Sequence, residues 1–172
     1  MVRIAATFTM KTWDEKPVAE GDGAPKVATA ISTNTYSGEI SGESTATYVI
    51  TYPTDTIAVF VGYEQITGTI GDRKGSFLVE SRGGWSNGEV TTEWTVVEGA
   101  ATRDLAGLTG AGRYSARHGE EPMHVELDYA LPGSLSCSDR ENTGDQRTTV
   151  DSPDDHQELV GFAVQAVMDE VS

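Results

Sequence analysis

The sequence ESTATYVITY at residues 43–52 decides the fold class, and IAVFVGYEQITGTI at residues 57–70 continues its pattern. The apolar side chains of the first stretch that share one face are Ala46, Tyr48, Ile50 and Tyr52. Successive side chains of a β-strand point to opposite faces, so this alternation is typical of a strand with one buried face. Pro53-Thr54-Asp55 separates the two stretches and is a turn signal. The pair therefore predicts two long strands joined by a short turn.

The same β-type pattern recurs on both sides of this pair. The other predicted strands are residues 2–10, 26–37, 74–82, 89–97, 111–118 and 123–131. Asn87-Gly88 is a two-residue hairpin signal, and Gly83-Gly84 is expected to end a strand. Residues 98–110 are punctuated by glycine and are expected to be irregular. No helical periodicity separates the strands, so an all-β domain is predicted.

An even number of meandering strands can close into a ring, which removes the exposed edges that favour aggregation. We therefore predict an antiparallel closed β-barrel of about eight strands over residues 1–132. A β-sandwich is the alternative architecture. A chain of 172 residues has room for one such domain and one further element.

The C-terminal part of the chain has a different character. Residues 133–151 are polar and aperiodic, so they are predicted to be a linker. Ser152 and Pro153 are typical of a helix start, and residues 152–172 are predicted to form an amphipathic helix. The apolar residues at helical spacing are Leu159, Val160, Ala163, Val164, Val167 and Val171. Such a face must be covered, so we expect it to pack on the barrel or to form a homodimer or higher homo-oligomer.

Charge and cysteine content exclude several functions. Lysine and arginine total 12 and aspartate and glutamate total 27, giving a formal net charge of −15. This charge repels phosphate backbones and anionic lipid heads, so neither nucleic acid nor membrane is an expected partner. Cys137 has no partner for a disulfide or a zinc site, and no segment resembles a signal peptide or a membrane span. A cytoplasmic protein is expected.

Glu64 is the candidate catalytic residue. It lies in the middle of a predicted strand, on the same face as Phe60 and Ile66, and this face is expected to point inward. A carboxyl group in apolar surroundings has a raised pKa and can act as an acid, a base or a polarising group. The alternatives are that the face points outward or that Glu64 pairs with Arg73 or Arg113.

Aromatic residues are the candidate ligand-binding residues. The predicted set is Trp94, Tyr129, Phe60, Phe8, Tyr48 and Tyr63, and the remaining aromatic candidates are Trp13, Trp85 and Tyr52. An eight-stranded barrel is wide enough either to pack solid or to hold one small ligand. Tyr63 is adjacent to Glu64 and should point to the opposite face, which makes it a second choice. The histidines and glutamates of residues 118–124 are interpreted as a hairpin loop, so no metal site is predicted.

Several motifs resemble a known family, in order and spacing, over residues 1–131. They are WDEKP at 13–17, GDGAPK at 21–26, SGEISGE at 37–43, VGYE at 61–64, GTIGDRKGSF at 68–77 and LAGLTG at 105–110. They are similar to a bacterial family of uncharacterised small proteins that is placed in the allene oxide cyclase-like barrel superfamily. The resemblance implies a lipocalin-like closed barrel. It also implies shape-directed cyclisation or isomerisation of an oily substrate, as in natural-product pathways. Family members usually end soon after the last strand, so the predicted linker and helix depart from the family pattern.

Three functions are compatible with these observations. The first is a cofactor-free cyclase or isomerase that holds a polyketide- or lipid-derived hydrophobic molecule in the barrel. The second is a non-catalytic carrier or sensor of small hydrophobic molecules. The third is a solid-cored barrel that works through its surface or its terminal helix. The first two predict a cavity, whereas the third predicts none. No nucleophile elbow, phosphate-binding loop or dinucleotide fingerprint is present in the sequence, and no cofactor is expected.

Overall fold

A computed structural model describes residues 1–132 of the chain, and the predicted linker at 133–151 and helix at 152–172 lie outside the described residues. The eight strands are β1 Val2–Gly21, β2 Ala24–Gly38, β3 Ile40–Thr54, β4 Ile57–Ile70, β5 Arg73–Ser86, β6 Glu89–Val96, β7 Thr109–Arg117 and β8 Met123–Ala130. Within this part of the chain, the one helical element is a 3-10 turn at Arg103–Leu105, between β6 and β7. No helix among the described residues is long and apolar enough to cross a lipid bilayer.

The strands form a single closed ring. Each strand pairs antiparallel with the next along the chain, and β8 returns to pair with β1 from Val2 opposite Tyr129 to Phe8 opposite Met123. The prediction of eight antiparallel strands in a closed barrel is therefore confirmed, and the sandwich alternative is wrong. The finer assignment to an allene oxide cyclase-like or lipocalin-like barrel stays a prediction.

Several strands are longer than their alternation predicts, and β1 and β5 extend furthest beyond their predicted C-terminal ends. β1 continues beyond Met10 because a bulge lets Lys11 and Thr12 share the outward side, after which Trp13 points inward opposite Ser32. β5 continues through Gly83, where an added Cβ would lie 2.2 Å from the carbonyl oxygen of Thr91. That glycine therefore permits a close approach of neighbouring strands and does not end the strand.

The two ends of the barrel differ in how they are closed. We call one the loop end; it carries the β2–β3 and β4–β5 turns and the β6–β7 loop at 97–108. The other, the hairpin end, carries the turns of the β1–β2, β3–β4, β5–β6 and β7–β8 hairpins. Leu105 and Leu108 are fully buried at the loop end. Backbone hydrogen bonding of Thr102 to Ser76, at 2.9 Å, fastens the loop to β5.

The interior is continuous but not uniform. At the loop end, aliphatic and aromatic side chains pack into one large core that includes Ile40, Ile66 and Phe77. Toward the hairpin end, Tyr48, Ile50 and small alanines form a second cluster, against which larger aromatic rings pack. Between the two clusters lies a polar belt, which we define by the buried polar residues of the described chain: Ser32, Asn34, Ser44, Glu64, Ser81 and Thr92.

Candidate functional site

A cavity of about 140 Å³ lies at the hairpin end of the barrel, and we call it the mouth pocket. Six of its eleven lining residues are aromatic: Trp13, Tyr48, Tyr52, Phe60, Trp85 and Tyr114. The other five are aliphatic or methionine residues: Met10, Ile50, Ala58, Val90 and Met123. No charged side chain lines the cavity, so its walls are suited to an apolar or weakly hydrated guest.

Strand alternation and cross-strand pairing bring these residues together. Tyr48, Ile50 and Tyr52 follow one another at every second position of β3. Ile50 lies opposite Phe60 on β4, and Ala58 lies opposite Trp85 on β5. Because the inward positions of neighbouring strands are in register, large rings from three adjacent strands line the same end of the lumen.

The rings contact one another with defined geometry. The Tyr48 and Phe60 rings meet edge to face, with centroids 5.4 Å apart and planes at 72°. Trp13 stacks on Tyr48 at 6.1 Å with an interplanar angle of 27°. Such offset and edge-to-face contacts are the arrangements that aromatic quadrupoles favour. The pocket walls are therefore stabilised by ring–ring contacts.

Charged groups lie at the rim of the pocket. The hydroxyl of Tyr52 donates a hydrogen bond to Oε1 of Glu15 at 2.6 Å. The Nζ atom of Lys26 lies 5.3 Å from the centroid of the Tyr52 ring, which is cation–π geometry. Both charged groups approach the pocket through a residue that lines it.

Glu64 lies deeper than the pocket, in the polar belt. Its side chain is only 2% exposed, and three donors converge on its Oε1 atom. The hydroxyls of Tyr36 and Ser44 donate at 2.7 and 2.5 Å, and Nδ2 of Asn34 donates at 3.0 Å. Burial raises the pKa of the Glu64 carboxyl, and the hydrogen bonds from Ser44, Tyr36 and Asn34 partly offset that rise. All three partners are neutral, so Glu64 pairs with neither Arg73 nor Arg113.

Two tyrosines connect the belt with the pocket. Tyr48 and Tyr114 line the pocket, and the charge of Glu64 contributes to raising the pKa of both phenols, after burial as the largest cause. Part of Tyr114 is exposed although its hydroxyl is buried. Both phenols therefore remain protonated at neutral pH. They lie between the belt and the pocket, because Glu64 itself does not line the pocket.

The structure brings only part of the predicted ligand-binding set to this pocket. Phe60 and Tyr48 line it, whereas Phe8 and Trp94 are buried in the loop-end core and Tyr129 packs against that core. Tyr63 lies on the outer surface and is 51% exposed. The ligand-binding role of these four residues stays a prediction that the pocket geometry does not support.

Four aromatic residues of the pocket are outside the predicted ligand-binding set. Trp13 follows a bulge that changes which residues of β1 point inward. Tyr52 lies next to a predicted turn. Trp85 follows the glycine pair at which the strand was expected to end. Tyr114 lies in β7, where Gly112 and Ala116 are its nearest in-phase neighbours and give almost no apolar signal. Trp13, Tyr52 and Trp85 are nevertheless among the remaining aromatic candidates named from the sequence, so Tyr114 is the aromatic residue of the pocket that sequence reasoning missed.

Metal ligation receives no support from the described side chains. Within residues 1–132, no three His, Cys, Asp or Glu side chains lie close enough together to hold a metal ion. Residues 118–122 connect β7 and β8, as the interpretation of this stretch as a hairpin loop predicts.

These observations define a class of protein: a closed, eight-stranded antiparallel β-barrel with an aromatic pocket at one end. A family model described as protein of unknown function (DUF3224) matches residues 4–129, so the chain belongs to this family. This confirms the resemblance to an uncharacterised family. The placement in the allene oxide cyclase-like superfamily stays a prediction.

A crystal structure is similar to this chain. It is that of a protein with unknown function from the same family, from Shewanella oneidensis MR-1. The match has a TM-score of 0.62 and 20% sequence identity, and it covers 77% of this chain and 98% of the other. No curated protein matches this chain. At this identity the likeness concerns the fold alone.

Proposed function

We propose that this protein binds one small, largely apolar molecule, about the size of a single ring, in the mouth pocket. The observation that carries the proposal is a cavity of about 140 Å³ with six aromatic side chains among its eleven lining residues. An engineered apolar protein cavity of about 150 Å³ holds benzene, which sets the size of guest that such a space accepts. Pockets of this composition commonly bind their ligands by burying apolar surface.

The expected affinity is modest. A ligand of about ten heavy atoms that gains roughly 0.5 kcal/mol per atom binds with about 5 kcal/mol, which corresponds to a Kd of roughly 0.2 mM. The phenol hydroxyls of Tyr48 and Tyr114 supply the few polar groups that would orient the guest. A solid-cored barrel that works only through its surface is less well supported, because that alternative predicts no cavity.

A pocket-filling substitution tests binding. Ala58 is buried and lines the pocket, so Ala58→Phe should occupy the space that the guest would take. We expect at least a tenfold loss of affinity for a one-ring probe such as toluene, measured by titration calorimetry and by tryptophan fluorescence. Ala5→Phe is the matched control, because Ala5 is exposed on the outer face of β1. Equal toluene affinity in the Ala58→Phe variant and the native protein would contradict the proposal.

A second candidate is a cofactor-free cyclase or isomerase, and the observation that favours it is the buried carboxyl of Glu64. A raised pKa keeps that carboxyl available as a proton donor at a pH where an exposed glutamate is ionised. The Tyr48 and Tyr114 hydroxyls would mediate its influence on a guest, because they line the pocket and Glu64 does not. The pocket volume restricts this candidate to a reaction at the end of a polyketide- or lipid-derived molecule.

Glu64→Gln separates the two candidates. The amide has nearly the shape of the carboxyl but no titratable proton, so a binding protein should retain its affinity for toluene within about twofold. A cyclase or isomerase should lose most of its turnover while retaining that affinity. Turnover that is unchanged in Glu64→Gln would remove Glu64 from the mechanism.

A further inference from the structure

The mouth pocket has the composition of a cation-binding aromatic cage. Its rings include two tryptophans, whose faces attract cations most strongly among the aromatic side chains. We propose that the natural guest carries an alkylated ammonium group, such as a trimethylammonium head, and that this group occupies the pocket. The proposal rests on the proposed binding function and specifies its ligand class.

The first supporting observation is a cation already seated on a ring of the cage. Lys26 places Nζ 5.3 Å from the centroid of Tyr52, on the same ring that lines the pocket. This contact shows that one face of the Tyr52 ring accepts a cation, whereas the charge of Lys26 itself opposes a second cation close by. A guest inside the pocket would meet other rings of the cage, among them Trp13, Trp85 and Phe60.

The second observation is the carboxylate that accepts a hydrogen bond from Tyr52. Oε1 of Glu15 accepts a hydrogen bond from the Tyr52 hydroxyl at 2.6 Å, and donation to a carboxylate increases the electron density of the phenol ring. The same carboxylate places a negative charge next to the cage without lining it. At the rim Glu15 offsets the positive charge of Lys26, so the attraction for a cation comes from the ring faces inside the pocket.

The third observation is the charge difference between the two ends of the barrel. At the hairpin end the described turns and adjoining residues carry seven acidic and three basic residues, over 13–19, 21–27, 52–58, 85–90 and 116–123. At the loop end the corresponding stretches carry five acidic and four basic residues, over 1–5, 37–41, 69–75, 97–108 and 127–132. Among these described stretches, the end that holds the pocket therefore has the more negative formal charge, −4 against −1, and negative charge nearby raises the local concentration of cations.

The pocket walls select among cations. A primary ammonium has three N–H donors that require acceptors, and no carboxylate lines the cavity to provide them. An alkylated ammonium without N–H groups has no such requirement and is weakly hydrated, so its transfer from water costs less. The volume of about 140 Å³ suits a head of this size, with the rest of the molecule outside.

A comparison of isosteric probes on the full chain tests the proposal. Choline and 3,3-dimethylbutan-1-ol have the same shape and differ in the charge of one central atom; ethanolamine retains the charge without the methyl groups. We expect choline to bind about tenfold or more tightly than the neutral alcohol, and ethanolamine to bind most weakly, by titration calorimetry. Raising the salt concentration should weaken choline binding and leave the alcohol unchanged.

The outcomes distinguish this proposal from the function on which it rests. Equal or tighter binding of the neutral alcohol would overturn the ammonium assignment and leave the binding function intact. Failure of choline, the alcohol and toluene alike to bind would overturn both. Binding of ethanolamine as tightly as choline would overturn the assignment to an alkylated head.

Three variants locate the effect in the cage. Trp85→Leu should weaken choline binding about fivefold or more and affect the neutral alcohol less, because leucine keeps an apolar wall but offers no ring face. Glu15→Gln should weaken choline alone. Tyr63→Leu is the matched control, because it removes an aromatic ring that is exposed outside the barrel. Thermal denaturation shows whether each variant is folded. A choline affinity that is unchanged in both folded variants, Trp85→Leu and Glu15→Gln, would overturn the proposal.

Discussion

The loop end and the hairpin end belong to the same eight strands, yet one is packed and the other holds a cavity. At the loop end, Leu105 and Leu108 of the β6–β7 loop complete a large core of aliphatic and aromatic side chains that includes Phe77 and Trp94. At the hairpin end the turns between strands are short, and the space is filled by flat rings that contact one another at their edges and faces. Both ends contain aromatic rings; the leucines of the β6–β7 loop fill the lumen at one end, and the short turns of the other end leave the mouth pocket. The difference separates the part of the barrel that stabilises the fold from the part suited to binding.

The largest expected effect tests the packed end. Leu105 has no exposed surface, so Leu105→Ala should lower the free energy of unfolding by about 2 to 5 kcal/mol. The loss combines removal of buried apolar surface with the cavity that remains. Urea denaturation provides the measurement, and toluene binding at the other end should be unchanged. A loss below about 1 kcal/mol would show that the loop is not part of the core.

The polar belt between the two ends should give stability a pH dependence. Because burial raises the folded-state pKa of Glu64 above its ordinary value, its favourable contribution is fully present below that ordinary value. It is lost as the pH rises through the raised pKa. Glu64→Gln should therefore remove a decline in stability that the native protein shows as pH rises through this window. The measurement is the urea midpoint of the native protein and of Glu64→Gln across this pH range. Parallel curves for the two proteins would contradict the assignment.

The smallest effect is expected in the pocket itself. Val90 lines the cavity and is only partly buried, so Val90→Ala should lower the free energy of unfolding by about 1 kcal/mol or less. It removes contacts on one side only, because the opposite side is already open space. Urea denaturation measures this change in the free energy of unfolding as well. A cost equal to that of Leu105→Ala would mean that the two ends are packed alike.

Much of the fold is predictable from period-two alternation. β4 is predicted to span residues 57–70, and it spans Ile57–Ile70 in the structure. Such agreement follows from strands with one buried face, because most inward positions are small or apolar and most outward positions can be polar. The inward position of Glu64 follows from the same parity, since it lies in phase with Phe60 and Ile66.

The candidate site is less predictable because its residues lie where alternation is interrupted. The bulge before Trp13 inserts one residue and changes which parity points inward. The two glycines before Trp85 resemble a turn in the sequence. In the structure both are strand positions, one pointing inward and the other outward. Tyr63 and Tyr52 are both aromatic residues in strands. Only the parity of each position decides that Tyr63 points outward and Tyr52 inward. Burial of a ring thus depends on strand register, which composition does not reveal.

The polar belt also sets how far a guest can enter. Its hydrogen-bonding groups around Glu64 are engaged with one another, and the space below them is occupied by the loop-end core. A molecule longer than the pocket must therefore keep its remaining length in solvent while its terminus sits among the rings. The proposed binding function therefore predicts that molecules that share one terminal group but differ in their tails compete for the pocket on nearly equal terms.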